Sequence, residues 1–225
     1  RLKKVKHVAT LAAPAAYLER YGMFTNPARA RLIILIKEHN PEVELLDLNM
    51  HAVRLRMVKQ PEEIAALQQA IDITMATIKA TTTPAKRVRY GHEYELEAAI
   101  TQNFRNRGAA GHSFEPIVAS GERACTLHNV ANAGAFGKRE LVVIDVGAEI
   151  EHYAADISRT IALGSPSRRQ QAVYNAVLEV QEYAFSLLGP GTLLKDYEQA
   201  IEHFMGEKLR TLGLIKIIDH DNVRK

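Results

Sequence analysis

The feature that most constrains the fold is a pair of apolar segments that carry two aspartates. Residues 141–148 are β-branched and apolar, and residues 153–162 follow a similar pattern, so the sequence predicts two strands joined as a hairpin. With a turn centred between residues 150 and 151, Asp145 and Asp156 would face each other directly. Facing Cβ atoms in such a ladder lie about 4.5–5.5 Å apart, and like charges there are destabilising. A cation between the carboxylates would turn this conflict into a binding site.

The same register divides the hairpin into an acidic face and a buried face. Gly147 would face Ala154, and Val143 would face Ser158, so small side chains leave room above the aspartates. The opposite face is apolar and predicts the buried side: Val142, Ile144, Val146, Tyr153, Ala155 and Ile157. Hard cations such as Mn²⁺, Mg²⁺ or Ca²⁺ prefer carboxylate oxygen, which zinc also accepts. Alternatively, one aspartate caps a turn or pairs with Arg159, although Arg159 points to the other face in this register.

Bulk properties exclude several classes of protein. The 225 residues are 47% hydrophobic, enough for a substantial core and for two domains. The net charge is only +3, and the basic clusters at residues 1–6 and 86–89 have no interleaved aromatic residues, so we expect no nucleic-acid binding. No apolar run of about 18 residues predicts a membrane span. The chain lacks a starting Met and a signal-peptide pattern, so we expect a cytoplasmic protein whose sequence begins within a longer one.

The pattern of elements predicts an α+β fold. Residues 1–58 contain short apolar runs, of which 7–13 and 43–48 predict strands and 32–36 a strand or a helix edge. After residue 60 the order becomes helix, helix, four strands, helix, helix. The predicted helices span 61–80, 92–107, 166–188 and 193–212, and the strands before the hairpin span 112–119 and 124–130. Such an order favours an antiparallel sheet with helices on one face.

Two of these helices have clear signals in the sequence. Pro61 followed by two glutamates marks a helix start, and Ile64, Leu67, Ile71, Met75 and Ile78 recur at helical spacing. In the second helix the apolar face consists of Leu96, Ile100 and Phe104, and Gly108 is the expected C-terminal stop.

The lone cysteine and four histidines have ordinary interpretations. Cys125 fits a reducing compartment and predicts a buried thiol in a strand rather than a nucleophile. His112 could line a cleft, whereas the other three predict surface or packing positions: His92, His152 and His203. Glu149 and Glu151 add charge near the hairpin tip but point away from the aspartates.

Four ordered motifs carry a family resemblance. They are Pro116–Glu122, Leu127–Asn129, Val143–Ala148 and Tyr153–Thr160, followed by the helix entry Gly189–Thr192. Together with residues 209–214, they make residues 58–219 resemble the pita-bread metallopeptidases, in the branch of aminopeptidase P and prolidase. The resemblance implies the pita-bread fold, with residues 1–58 as the remnant of an N-terminal domain and residues 59–225 as the first part of the catalytic domain.

The resemblance also implies a chemistry and its residues. Family members bind two divalent metals, usually manganese or cobalt with zinc as an alternative, which activate a water for attack on the peptide bond that precedes proline. Asp156 matches the ligand that bridges both ions, and Asp145 matches the ligand of one ion. His128 matches a histidine that contacts substrate and assists proton movement. Asn129 stands where the family more often has an aromatic residue, a difference that bears on substrate preference and not on the chemistry. The partners implied are proline-containing peptides and further copies of the chain, because the family often forms homo-oligomers.

Other ligands of the family have no counterpart in the sequence. A ligand histidine, two ligand glutamates and a transition-state histidine would follow the segment 212–225. Asp219, His220 and Asp221 are interpreted as a polar loop. We therefore expect a chain truncated at both ends that has no peptidase activity alone and binds metal weakly. In it the two aspartates should share a proton, or one should have a raised pKa.

Two alternatives to an Xaa-Pro exopeptidase stay open. A non-catalytic pita-bread module would bind peptides or proteins through the same cleft, but it would have no need for the aspartate pair. A methionine aminopeptidase is the second alternative within the enzyme class, but that branch usually lacks a domain such as residues 1–58.

Overall fold

The structure, a computed structural model, describes residues 4–11 and 27–216. By its internal contacts the chain divides into two compact units, residues 1–65 and residues 66–225. No described helix combines the length and the apolar run that crossing a membrane requires.

The first unit contains a pair of parallel strands. Strand β1 spans His7–Thr10, helix α1 spans Pro27–His39, strand β2 spans Glu44–Asp47 and helix α2 spans Asn49–Met57. The two strands pair in parallel, so both predicted strands are confirmed in shorter form. Residues 32–36 lie inside α1 and are helical. The predicted residues 12 and 13 of the first strand lie outside the described residues.

The helices of the second region confirm the predicted order. Helix α3 spans Pro61–Thr81, a single turn α4 spans Pro84–Arg87, and three longer helices follow: α5 Glu93–Asn106, α6 Arg168–Leu187 and α7 Leu194–Thr211. Gly108 and Gly191 have φ angles of 89° and 88°, which favour glycine, and they lie just after α5 and just before α7. Helix α6 begins with a capping box between Ser167 and Gln170.

Six strands form two three-stranded antiparallel sheets. They are β3 Gly111–His112, β4 Ile117–Ser120, β5 Leu141–Val146, β6 Ala148–Ile150, β7 Tyr153–Ala154 and β8 Ile157–Ala162. One sheet has the order β4-β5-β8, and the other has the order β3-β6-β7. The α+β class with an antiparallel sheet is therefore confirmed. Each predicted hairpin strand is broken into two, near Gly147 and near Asp156.

The predicted strand at 124–130 is wrong. Gly121 has a φ of 57°, which ends β4, and residues Gly121–Cys125 form a 3-10 helix followed by turns. Cys125 is consequently exposed, not buried in a strand as predicted.

The core lies between the sheets and helices α3 and α5. Val142, Ile144 and Val146 are fully buried, as are Leu96, Ile100 and Phe104, so both predicted apolar faces are confirmed. Helix α3 instead buries mostly small residues: Ala66, Ala70, Ile73, Thr74, Thr77 and Ile78. Its larger Ile64 and Ile71 are 55% and 38% exposed.

Candidate metal centre

The hairpin turn lies one residue later than the sequence predicts. Glu151 and His152 form a two-residue turn in which both φ angles are positive, at 50° and 68°, and Ile150 pairs with Tyr153. Two-residue hairpins favour such turns because their twist matches that of the strands. The register therefore shifts by two residues, and the predicted direct pairing of the two aspartates is wrong.

Asp145 is opposite Ser158, not Asp156. The Ser158 hydroxyl donates a hydrogen bond of 2.7 Å to Oδ1 of Asp145. Val143 correspondingly faces Thr160, and Ala154 faces Glu149, which corrects the two pairings predicted for Ser158 and Ala154. Because a shift of two residues keeps every side chain on its face, Asp145 and Asp156 still share one face as diagonal neighbours.

The two carboxyl groups interact across this diagonal. Asp156 is exposed overall, yet nearby protein atoms remove part of the hydration of its carboxyl group and raise its pKa. The negative charge of Asp145 and a hydrogen bond with it raise the pKa of Asp156 further. The predicted raised pKa within the pair is thus confirmed and belongs to Asp156.

Gly147 provides the close approach at the centre of the hairpin. A Cβ atom there would lie 1.7 Å from the carbonyl oxygen of Ala155 and 2.4 Å from the hydroxyl oxygen of Ser113. Ser113 itself donates a hydrogen bond of 2.7 Å to that carbonyl. No other residue type fits here without movement of the backbone next to Asp156.

The aspartate pair supplies hard oxygen ligands that suit a divalent cation. Among residues 4–11 and 27–216, no group of three or more His, Cys, Asp or Glu side chains could hold a metal ion. The two carboxylates alone supply fewer oxygen ligands than a divalent cation takes. Asp219, His220 and Asp221, interpreted as a polar loop, lie outside the described residues.

The charged neighbours of the pair occupy other positions. Arg159 donates to the carbonyl of Ser158 and to the sulfur of Met75 in α3, as expected for a side chain on the opposite face. His152 is 97% exposed at the turn and lies 3.5 Å from Glu149, so its predicted solvent position is confirmed.

A cavity of about 770 Å³ lies between the β5–β8 strands and helix α6, and neither aspartate lines it. Strands β5 and β8 contribute Val143, Ser158 and Thr160 to its lining, and helix α6 contributes Val173, Tyr174 and Val177. Because Ser158 both lines the cavity and bonds to Asp145, the cavity adjoins the acidic face.

His128 lies in an exposed turn after the 3-10 helix. Its φ angle is 55°, and its carbonyl accepts a hydrogen bond of 2.8 Å from the amide of Val130. We call residues 121–135, which carry this turn, the His128 loop. The side-chain amide nitrogen of Asn129 is buried and has no hydrogen-bond partner within the described part of the chain.

The three other histidines interpreted from the sequence are placed elsewhere. His112 packs edge-on against Phe104 and bonds to Thr101 at 2.7 Å, so it lies against α5. Burial lowers the pKa of His112. His92 stacks on Tyr94 at the start of α5, and His203 is 55% exposed.

The sequence interpretation missed a buried network at the base of the His128 loop. Glu93 is fully buried and accepts hydrogen bonds from Ser120, Arg123 and Gly134. Burial alone raises the pKa of Glu93, but these hydrogen bonds together hold it below its usual value. In the sequence, Glu93 looks like any acidic residue in the first turn of a helix, so only the packing distinguishes it.

The α+β fold places two carboxylates on one sheet face, and carboxylate oxygens are ligands that suit divalent cations. A sequence model described as metallopeptidase family M24 matches residues 65–222. The chain belongs to this family, and membership of a metallopeptidase family implies divalent metal ions.

Individual relatives agree with the family. The chain is 37% identical over 177 residues to an Xaa-Pro aminopeptidase of Haemophilus influenzae, a match that covers 77% of this chain and 40% of the relative. It is 35% identical over 156 residues to an Xaa-Pro dipeptidase of Pyrococcus furiosus, covering 68% of this chain and 43% of the relative. The match spans less than half the length of each relative.

A solved structure agrees with the fold. The aminopeptidase PepP of Pseudomonas aeruginosa is similar with a TM-score of 0.77 and 29% identity, over 99% of this chain and 49% of that chain. The predicted pita-bread class is therefore confirmed.

Proposed function

We propose that the chain is part of a metal-dependent exopeptidase that cleaves peptide bonds preceding proline. The observation that carries the proposal is the pair Asp145 and Asp156 on one sheet face, in a chain similar to Xaa-Pro aminopeptidases and dipeptidases. We assign both carboxylates as metal ligands. A bound divalent pair would supply Lewis-acid activation of water and of the scissile carbonyl.

The roles of the chain's own residues follow from their positions. Ser158 holds the orientation of Asp145 through its hydrogen bond. Gly147 keeps the hairpin backbone close beside Asp156. His128, on an exposed turn that its loop holds at positive φ, is assigned to contact the substrate and to assist proton movement.

Further assignments belong to the same proposal. We assign manganese as the metal, because a carboxylate-oxygen pair suits hard cations. We also place the protein in the cytoplasm as a homo-oligomer, with residues 1–58 in an N-terminal domain and residues 59–225 in the catalytic domain. The division of the chain between Ala65 and Ala66 lies near this boundary and supports it. We predict that these 225 residues alone lack activity, because two carboxylates are too few ligands for two divalent ions.

The test compares two peptides and four variants. Protein expressed from its complete gene is stripped of metal, reloaded with Mn²⁺ and given a peptide with proline in the second position or its alanine counterpart. We expect cleavage only with metal and only before proline. Asp145→Asn and Asp156→Asn should each lower kcat/KM by more than the roughly 10–100-fold that a group supporting a ligand costs.

Matched controls lie on the same hairpin. Glu149→Gln and Glu151→Gln remove a carboxylate charge near the turn and should leave kcat/KM within about twofold. Metal-independent cleavage, or equal losses in control and aspartate variants, would contradict the proposal. Removal of only an N-terminal methionine would instead indicate a methionine aminopeptidase. Peptide binding without cleavage would indicate a non-catalytic module.

A further inference from the structure

The His128 turn keeps an unfavourable backbone conformation at the tip of its loop. His128 has a φ of 55°, and the neighbouring Leu127 is 90% exposed, so packing at the tip does not explain the conformation. A non-glycine residue in this region persists only where surrounding structure holds it. The base of the loop is where such support lies.

An ion pair between Arg123 and the fully buried carboxylate of Glu93 ties the two ends of the His128 loop together. The carboxylate of Glu93 accepts hydrogen bonds of 2.8 Å from the amide of Ser120 before the loop and from the amide of Gly134 near its end. Arg123 donates to the same carboxylate at 2.8 Å. One fully buried side chain of α5 therefore fixes the entry and the exit of the loop.

Arg123 connects these ends a second time. Its guanidinium donates to the Ser120 hydroxyl at 2.7 Å and to the carbonyl of Ala135 at 3.0 Å. A Cβ atom at Gly134 would lie 2.0 Å from the guanidinium, so the loop closes tightly around this side chain. A planar fork with several donors can satisfy these acceptors together, which a lysine ammonium cannot do in the same geometry.

Asn132 ties the loop to the strand beside Asp145. Asn132 is 3% exposed with a φ of 44°; its side chain accepts a hydrogen bond of 2.8 Å from the amide of Val118 and donates one of 2.9 Å to the carbonyl of Pro116. The side-chain amide of Asn132 thus bonds to the edge of β4 as the backbone of a neighbouring strand would. Ile117, between these two partners, is the residue that pairs with Asp145 on β5.

We infer that Arg123 and Asn132 are positioning residues that hold His128 at a fixed place relative to Asp145. Arg123 closes the base of the loop, and Asn132 sets the register of the loop on β4 next to the strand of the aspartate. Neither residue is assigned a contact with substrate. The inference rests on the proposed function, in which His128 contacts the substrate.

The test is a double-mutant cycle in protein expressed from its complete gene. Asn132→Asp keeps the acceptor for Val118 but loses the donor to Pro116, and Arg123→Lys keeps the charge but loses the fork. In the presence of His128, each should lower kcat/KM for the proline peptide about tenfold. In a His128→Ala background each should cost less than about twofold, because nothing remains to be positioned.

The cycle separates positioning from plain structural support. A structural role would lower kcat/KM equally in both backgrounds, and that result would overturn the inference. Arg107→Lys and Asn175→Asp, conservative changes at exposed positions just after α5 and within α6, are the matched controls and should change neither background. If a main variant fails to fold, Ser120→Ala takes its place in the cycle. It removes one acceptor of Arg123 and one hydroxyl donor to Glu93, and leaves the bond between Arg123 and Glu93 in place.

A second measurement does not depend on activity. The amide of Val130 donates to the carbonyl of His128, so its hydrogen-exchange rate reports the turn. Arg123→Lys and Asn132→Asp should raise that rate at least about tenfold and leave the amide of Leu96 in α5 unchanged. An unchanged Val130 rate would overturn the inference whatever the peptidase result. Absence of wild-type cleavage, with faster Val130 exchange in the variants, would contradict the proposed function alone.

Discussion

Ser158 donates its hydroxyl hydrogen bond to Oδ1 of Asp145 from directly across the β5–β8 ladder. The bond uses one carboxylate lone pair, leaves the others open and restricts rotation of the carboxylate. A residue that the sequence indicates only as a small side chain therefore orients a proposed metal ligand.

Replacement of this serine should weaken metal binding. Ser158→Ala leaves the Asp145 carboxylate free to rotate, so we expect Mn²⁺ affinity to fall by roughly tenfold or more, measured by calorimetric titration of the complete protein. Thr160→Val is the control, because it changes a hydroxyl on the same face of β8 opposite Val143. Equal affinity losses in the two variants would show that the Ser158 bond has no special role.

Removal of the Asp145 charge should lower the pKa of Asp156. Burial raises this pKa first, and the charge and hydrogen bond of Asp145 raise it further. Asp145→Asn removes the charge, so the pKa should fall but stay above its ordinary value. Carbon-detected NMR titration of the metal-free protein measures it, with Asp156→Asn to assign the resonance. An unchanged pKa would mean that the carboxyl groups do not interact.

The raised pKa of Asp156 makes the stability of the metal-free protein depend on pH. Because the folded-state pKa of Asp156 is raised, the folded chain holds its proton to higher pH than the unfolded chain does. Stability should therefore fall as pH rises from the ordinary aspartate pKa through the raised one, and the fall should be shallower in Asp145→Asn. Urea unfolding at a series of pH values measures this, and a rise in stability across that window would contradict it.

Two buried threonines on α3 should respond oppositely to the same substitution. Thr74 accepts a hydrogen bond of 2.9 Å from the amide of Ala148, so Thr74→Val leaves that buried amide unpaired and should cost about 1–3 kcal/mol of unfolding free energy. The hydroxyl of Thr77 has no partner among the described residues, so Thr77→Val should be neutral or stabilising. Chemical denaturation compares them, and equal losses would refute the assigned bond.

Gly147 should tolerate no side chain. A Cβ atom would lie 1.7 Å from the Ala155 carbonyl oxygen, so Gly147→Ala should destabilise the chain by about 3 kcal/mol or more and reduce metal affinity by moving Asp156. Gly189→Ala is the matched control, because nothing lies within 4 Å of a Cβ atom there, and its effect should stay within about 0.5 kcal/mol. Thermal unfolding with and without Mn²⁺ distinguishes the two.

Periodicity predicted the helices and the buried faces of α5 and β5, but not the buried face of α3. Leu96, Ile100 and Phe104 recur at helical spacing and are fully buried, and the alternation of Val142, Ile144 and Val146 gave the core side of β5. Regular elements repeat a local pattern, and that pattern is present in the sequence itself.

The register of the hairpin could not be predicted in the same way. Glu151 and His152 take positive φ angles that a sequence favours only when it has Gly, Asn or Asp at these positions. The turn was therefore placed one residue too early. The shared face of Asp145 and Asp156 was predicted correctly because a shift of two residues preserves the face of every side chain.

The conformation of the His128 loop could not be predicted from the sequence pattern either. Residues 124–130 have the composition of a strand, but Gly121 ends β4, and the long-range bonds of Glu93 and Asn132 fold the following segment as a loop. Those partners lie far apart in the sequence or on another element, and no local pattern encodes them.

The short turn at Glu151 and His152 has a consequence for how the acidic site arises during folding. Both aspartates belong to one stretch of chain that doubles back on itself through the turn at Glu151 and His152. Closing so short a loop costs little chain entropy. The two negative charges can therefore meet as soon as this local hairpin forms, before distant parts of the chain arrive.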